Sequence, residues 1–195
     1  MTDILKLPSS LLVGGKEREI NSDFRPCIYI MQIFERADLT VFEKTEIMVG
    51  ILFVDELPVE LIQEAAEKAV WFLNMGDTEE SEGGRDYGRL FSWEQDLRFI
   101  IAAVDKSAGC SVRAKEHYHW WEFISAFYES GECVFNTIVH QRKLKKSGKQ
   151  TKTDKEWWAE NRDIAELKIE KQLTLEEQRA LDKFNALLKG GGANG

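Results

Sequence analysis

Three residue types that carry much of site chemistry or shape loops are scarce here: three histidines, three cysteines and three prolines in 195 residues. Cys27, Cys110 and Cys133 are odd in number and widely spaced, with no CxxC, which excludes a disulfide framework and leaves buried, reduced thiols in a cytoplasmic setting. Long hydrophobic runs are also missing. The longest, FIIAAV at 99–104, falls far short of the roughly 20 residues of a membrane span. The start MTDILKLP has no basic stretch followed by an apolar run, so no membrane partner and a cytosolic location are expected. GxSxG, GxxxxGK[ST], HExxH and GxGxxG do not occur. No catalytic, cofactor or metal residue is assigned, and the chain is expected not to be an enzyme.

What is present is a globular composition, 43% hydrophobic and 31% charged, long enough to bury a core without staples. The net charge of −8 and a pI near 5.1 argue against a nucleic-acid partner, which needs a surface that attracts phosphate. One stretch runs the other way. RKLKKSGKQTKTDK, 142–155, holds seven basic residues and one acid, leaving 19 basic against 33 acidic elsewhere. With no aromatic interleaved before Trp157, it reads as a solvated connector rather than a base-stacking surface.

The periodicity predicts a mainly α protein: a helical bundle with a small N-terminal β-hairpin. LLVGGKEREI places Gly14-Gly15 between two short strands, a pair that reaches positive φ at little cost. From there the apolar period is 3.6. Asp23 and Pro26 open one helix, and Thr40 with Glu43 has the capping-box spacing that opens a second over about 41–53. Pro58 and Gly76 bracket a third, with Leu61, Ile62, Ala65, Ala69, Phe72 and Leu73 on its apolar face. Residues 77–89 are acidic, glycine-rich and aperiodic, a surface loop. Ser92 with Gln95 repeats the capping-box spacing ahead of a stripe of Trp93, Leu97, Ile100, Ile101 and Val104. Helices are further expected over about 113–129, 135–144, 154–171 and 175–188. The organisation is then a core domain over 1–146, a basic linker over 147–153, a C-terminal helical pair over 154–189 and a flexible tail over 190–195.

His117 and His119 stand beside Trp120 and Trp121 in HYHWWEFISAF. On a helix, residues two apart point about 200° from each other and cannot share an ion, whereas on a strand they could. Trp120, Phe123, Ile124 and Phe127 share one helical face, so the stripe reads as packing, with a partner groove or a metal as the lesser readings. Trp157 and Trp158 open a charged helix with few other large apolar residues. One packs inward and the other is left for a partner. Together with Leu181, Phe184 and Leu188, which line one side of the last helix, they are the candidate partner-binding residues.

INSDFR (20–25), WFLNMG (71–76), RLFSWEQDLRFIIAAV (89–104), HWWEFISAF (119–127), IVHQRK (138–143) and DKEWWAENRDIAELK (154–168) occur in order. At these spacings the chain resembles a siphophage family, Gp-fifteen-like, encoded beside the tape-measure gene and described as tail assembly chaperones. The resemblance covers roughly residues 1 to 170. It departs at Met75, where the family tends to carry cysteine, and in the helix that begins at Thr174. The resemblance implies a mostly helical, non-enzymatic protein acting in the cytoplasm of the infected host or lysogen. The tape-measure protein would be its partner, the tail-tube protein and further copies of itself would be other contacts, and the finished virion would lack it. A structural tail or head-tail connector protein is the alternative.

Overall fold

The computed structural model describes residues 6–77 and 87–168. Strands β1 (Ser10–Val13) and β2 (Lys16–Glu19) form an antiparallel hairpin pairing Val13 with Lys16 and Ser10 with Glu19. Both turn glycines have positive φ, 60° and 72°, as a tight two-residue turn requires. Leu11 and Val13 point into the core while Leu12 points out, the two-residue alternation of a one-sided sheet.

Eight α-helices follow among the described residues. They are α1 (Phe24–Glu35), α2 (Val41–Leu52), α3 (Ile62–Leu73), α4 (Leu97–Ala108), α5 (Trp120–Tyr128), α6 (Val134–Ser147), α7 (Lys152–Glu160) and α8 (Arg162–Ala165). The mainly α bundle with its hairpin is therefore the observed fold. α1 packs on α2 and α5, α2 on α3, α3 on β1, α4 on α5 and α6, and α8 on α6 and α7.

The two capping residues expected near the N-terminus act as anticipated. Thr40 Oγ1 accepts from the Glu43 amide while the Glu43 carboxylate accepts from the Thr40 amide. Asp23 accepts from the Arg25 amide, and its second oxygen accepts from the Tyr118 amide at 2.9 Å. The start of α1 is thereby fastened to the start of α5. The third box is different. Ser92 Oγ accepts from the Glu94 and Gln95 amides, but the carboxylate returning to the Ser92 amide is that of Asp96, at 2.9 Å. Gln95 turns away to donate to the Glu166 carbonyl and accept from the Lys168 amide, because the chain beyond α8 passes over it.

Two other expected helices are corrected. The helix placed over about 113–129 begins only at Trp120. Residues 112–114 make a single 3-10 turn, and His117–His119 are extended, drawn straight by pairing between Asp23 and His119. The Phe24 amide donates to the Tyr118 carbonyl and the Trp120 amide to the Ser22 carbonyl across this bridge. The helix placed over about 154–171 breaks at Asn161, whose side-chain amide donates to the Trp157 carbonyl, and α8 ends at Ala165. Asparagine competes for backbone partners in this way wherever its short side chain can reach them. Residues 169–195, including the helix expected over 175–188, lie outside the described residues, as do 78–86 of the expected loop.

The core is aromatic along one line. Phe24 and Phe123 stack with centroids 4.8 Å apart, Phe123 stacks on Trp120 at 5.8 Å, and Trp120 meets Trp93 at 5.9 Å. The paired tryptophans also terminate α3. The last carbonyls of a helix have no partner within it; here the Trp120 indole donates to Leu73 O at 2.9 Å and the Trp121 indole to Phe72 O at 2.8 Å. The HWW stretch is thus a packing element with a specific second task.

Candidate partner-binding groove

Because Trp120 and Trp121 hold the end of α3 against α5, a depression is left where α1, α3 and α5 meet. One part, about 360 Å³, is lined by Met31 of α1, Phe91, Trp93 and Phe127. An adjoining part, about 620 Å³, lies between α1, α2 and α3 and is lined by Phe34, Met48, Val70 and Trp71. Asn74 and Asp77 border both, and Met31 and Phe34, one helical turn apart, join them into a single groove. Phe34 is 40% exposed and Val70 47%, so apolar surface faces water along its length. The bordering charges lining it are Glu67 and Asp77, both acidic. Residues 37–77 as a whole carry nine acidic side chains and two lysines. Met75, at φ 58°, takes a left-handed conformation uncommon for a residue with a β-carbon and turns the chain at the groove's edge.

His117 and His119 are engaged in structure. The His119 ring is buried, its Nδ1 accepting from the Trp121 amide at 3.0 Å as the cap of α5, so that Nε2 carries the proton donated to the Pro8 carbonyl at 2.9 Å. Burial lowers its basicity, and the Pro8 hydrogen bond offsets part of that. His117 is exposed and pairs with the Ser22 hydroxyl at 3.2 Å. Although the two residues lie on extended backbone, their ring centroids are 6.3 Å apart and both His119 nitrogens are committed. No cluster of three or more His, Cys, Asp or Glu residues able to hold a metal occurs among the described residues. Cys27 is buried, with its thiol pushed far up by desolvation, and Cys110 and Cys133 are partly buried; all three are free.

The basic run is largely occupied within the fold, a role that composition and spacing did not indicate. Arg142 is 3% exposed and forms a bidentate pair with Asp96, itself 1% exposed, at 2.6 and 3.0 Å. Its remaining donors go to the carbonyls of Leu90, Ile164 and Ala165, tying α6 to the start of α4 and to α8. Lys146 donates to the Tyr87 and Arg89 carbonyls. Thr151 and Asp154 form a capping box that starts α7, and Gln141 of α6 donates to the same Asp154.

Trp157 and Trp158 are both partly buried. Trp158 lies under the Lys145 ammonium, 3.9 Å from its ring centroid, and floors a separate hollow of about 260 Å³ with Leu167. Neither tryptophan lines the α1–α3–α5 groove, which composition and periodicity did not single out. Leu181, Phe184 and Leu188 lie outside the described residues.

Residues 3–167 match the family described as Bacteriophage Gp15 protein. The chain belongs to that family. It is accordingly a phage protein, and the Gp15 match spans every strand and helix described above. No curated protein and no solved structure matches the chain, so the fold of this Gp15-family protein rests on its own geometry. Among the described residues no helix is long and apolar enough to cross a membrane.

Proposed function

We propose that this Gp15-family protein is a tail assembly chaperone that holds an amphipathic helix of the tape-measure protein in the α1–α3–α5 groove. The observation that carries the reading is the groove itself: lined by Met31, Met48, Phe91 and Trp93 among polar Thr45, Gln63 and Asn74, open to water at Phe34 and Val70, and bordered by Glu67 and Asp77. A helix lays an apolar stripe into such a groove through anchors at i, i+3, i+4 and i+7, and lysine or arginine beside the stripe complements the acidic border. A long tape-measure helix exposes many stripes that would aggregate before tail-tube subunits enclose them. Contacts of about −8 kcal/mol each, or ~1 μM, release one at a time yet make a durable coat when repeated along one thread. The protein works by binding, in the host cytoplasm, and leaves before the particle is complete.

Co-expression with a tape-measure fragment from the same phage tests this. The fragment should stay soluble and co-purify with several copies of the chain. Val70→Glu, at a half-exposed position, should abolish co-purification and leave the melting temperature unchanged. A fragment that precipitates regardless, or this chain in stoichiometric amount in purified virions, favours the structural tail or connector reading instead.

A further inference from the structure

Two features outside the groove complement each other. The first is a knob. Val41 and Phe42, the opening residues of α2, are 78% and 68% exposed, because the Thr40–Glu43 box fixes the first turn with both side chains outward. Glu46 lies one turn on from Phe42, on the same face. The nearby cations are spoken for: Lys44 donates to the Phe34 carbonyl and Arg36 is paired with Asp38. The knob is an aromatic ring beside carboxylates.

The second is the hollow at the opposite end of the charge distribution. Its floor is Trp158 and Leu167 and its edge is basic: Lys145 lies over the Trp158 ring, Lys146 donates to the Tyr87 and Arg89 carbonyls, Arg89 faces Glu35 at 4.0 Å, and Arg142 is paired with Asp96. The one carboxylate that lines it, Glu166, is paired with Arg162 at 3.0 Å. At about 260 Å³ it lies below the roughly 300–1,000 Å³ of small-molecule sites and suits a single inserted side chain.

We infer that two copies of this chain associate by inserting Phe42 of one into the Trp158 hollow of the other, with Glu46 meeting Lys145 and Lys146 at the edge. On insertion the Lys145 ammonium leaves the Trp158 ring for Glu46, and the Phe42 ring takes its place on the Trp158–Leu167 floor. Knob and hollow occur on every copy. Reciprocal exchange closes a dimer, whereas one-way insertion leaves a free knob and a free hollow and extends the array. Neither Phe42 nor Trp158 lines the groove, so this contact stands or falls apart from the client reading, although copies joined this way would line up along one thread.

Sedimentation velocity on the full chain, over a concentration series at low and high salt, tests the contact. The wild-type mass should rise with concentration and fall back with salt, stopping at a dimer for exchange or continuing for one-way insertion. Phe42→Ser should weaken association about tenfold or more. Glu46→Lys and Lys145→Glu should each weaken it by a similar factor, and the double variant should recover most of the loss, which no unfolding artefact would do. A wild-type chain that remains monomeric up to roughly 1 mM at low salt overturns the inference. So does a Phe42→Ser chain that associates as tightly as wild type, or a double variant no better than the singles.

Discussion

The two ends of the molecule are held together by different forces. Around α1, α3, α4 and α5 the contacts are hydrocarbon and aromatic, with Phe24, Phe72, Trp120, Phe123 and Ile100 all fully or almost fully buried. Around α6, α7 and α8 an ion pair is buried beside Ile138 and Ala165, and no residue of α7 is buried at all. Hydrophobic packing scales with the area buried, whereas a buried charge is all-or-none: satisfied it locates its partners, unpaired it is costly. The first end therefore provides stability, and the second provides position, bringing α8 and the Trp158 hollow to one place.

Substitutions can separate these roles. Trp120→Ala should be the most damaging single change, costing about 4–5 kcal/mol from the cavity and more from the Leu73 carbonyl left without its indole donor. Chemical denaturation would report it as global, with all helices lost together. Arg142→Met should cost about 3–4 kcal/mol, since Asp96 would remain buried without a partner. Replacing Asp96 and Arg142 together by apolar residues of similar volume should recover most of that, while no second substitution near Trp120 would refill its cavity. If the Asp96–Arg142 double variant is as unstable as the single, the pair is a source of stability and the contrast between the two ends fails. Gly14→Ala should cost about 1–2 kcal/mol, because alanine at φ 60° is strained and its β-carbon would meet Leu61 Cδ1 at 2.7 Å. That methyl tip can move, so thermal melting should show a modest shift with hairpin register intact.

The first end was the more legible in the sequence, and the reason is the range of the forces. Thr40 with Glu43, Asp23 with Pro26, and Gly14-Gly15 act on amides a few residues away, so their spacing alone identifies them. The stripe Trp120, Phe123, Ile124 likewise declares a buried face. What failed was set by distant partners. His117–His119 look helical in isolation and are straightened by a bridge to Asp23, about 95 residues earlier. Arg142 sits in a run of lysines indistinguishable from solvated charge until Asp96 arrives opposite it. The groove could not be read either, because its lining comes from α1, α2, α3, α5 and the residues just before α4. Only the Ser92 box was half legible: Ser92 caps the Glu94 and Gln95 amides, but the carboxylate returning to it is Asp96, one residue beyond the Gln95 that the spacing named.

Acid should divide the two ends by pH. His119 is less basic in the folded protein than the roughly 6.5 of an unfolded histidine, chiefly through desolvation, because its neutral Nδ1 caps α5. A base with a lowered folded pKa favours folding fully above the unfolded value and loses that contribution as pH falls below it. Stability should therefore begin to decline below about pH 6.5, and His119→Asn, which keeps a capping oxygen, should flatten this first slope. Asp154 behaves as a depressed acid. The Thr151 hydroxyl first, then the Gln141 amide, hold its carboxyl at about 2, so its contribution is complete above the unfolded value near 3.9 and disappears as pH falls towards 2. The Thr40 amide and the Arg162 guanidinium also hold Glu43 and Glu166 below the usual carboxylate value, so Asp154→Asn should reduce the second slope without removing it. Urea denaturation across pH, read with amide signals from α5 and α7, checks the division. α5 should respond in the upper window and α7 in the lower, and a single transition shared by both would mean that the ion pair couples the ends more tightly than their packing does.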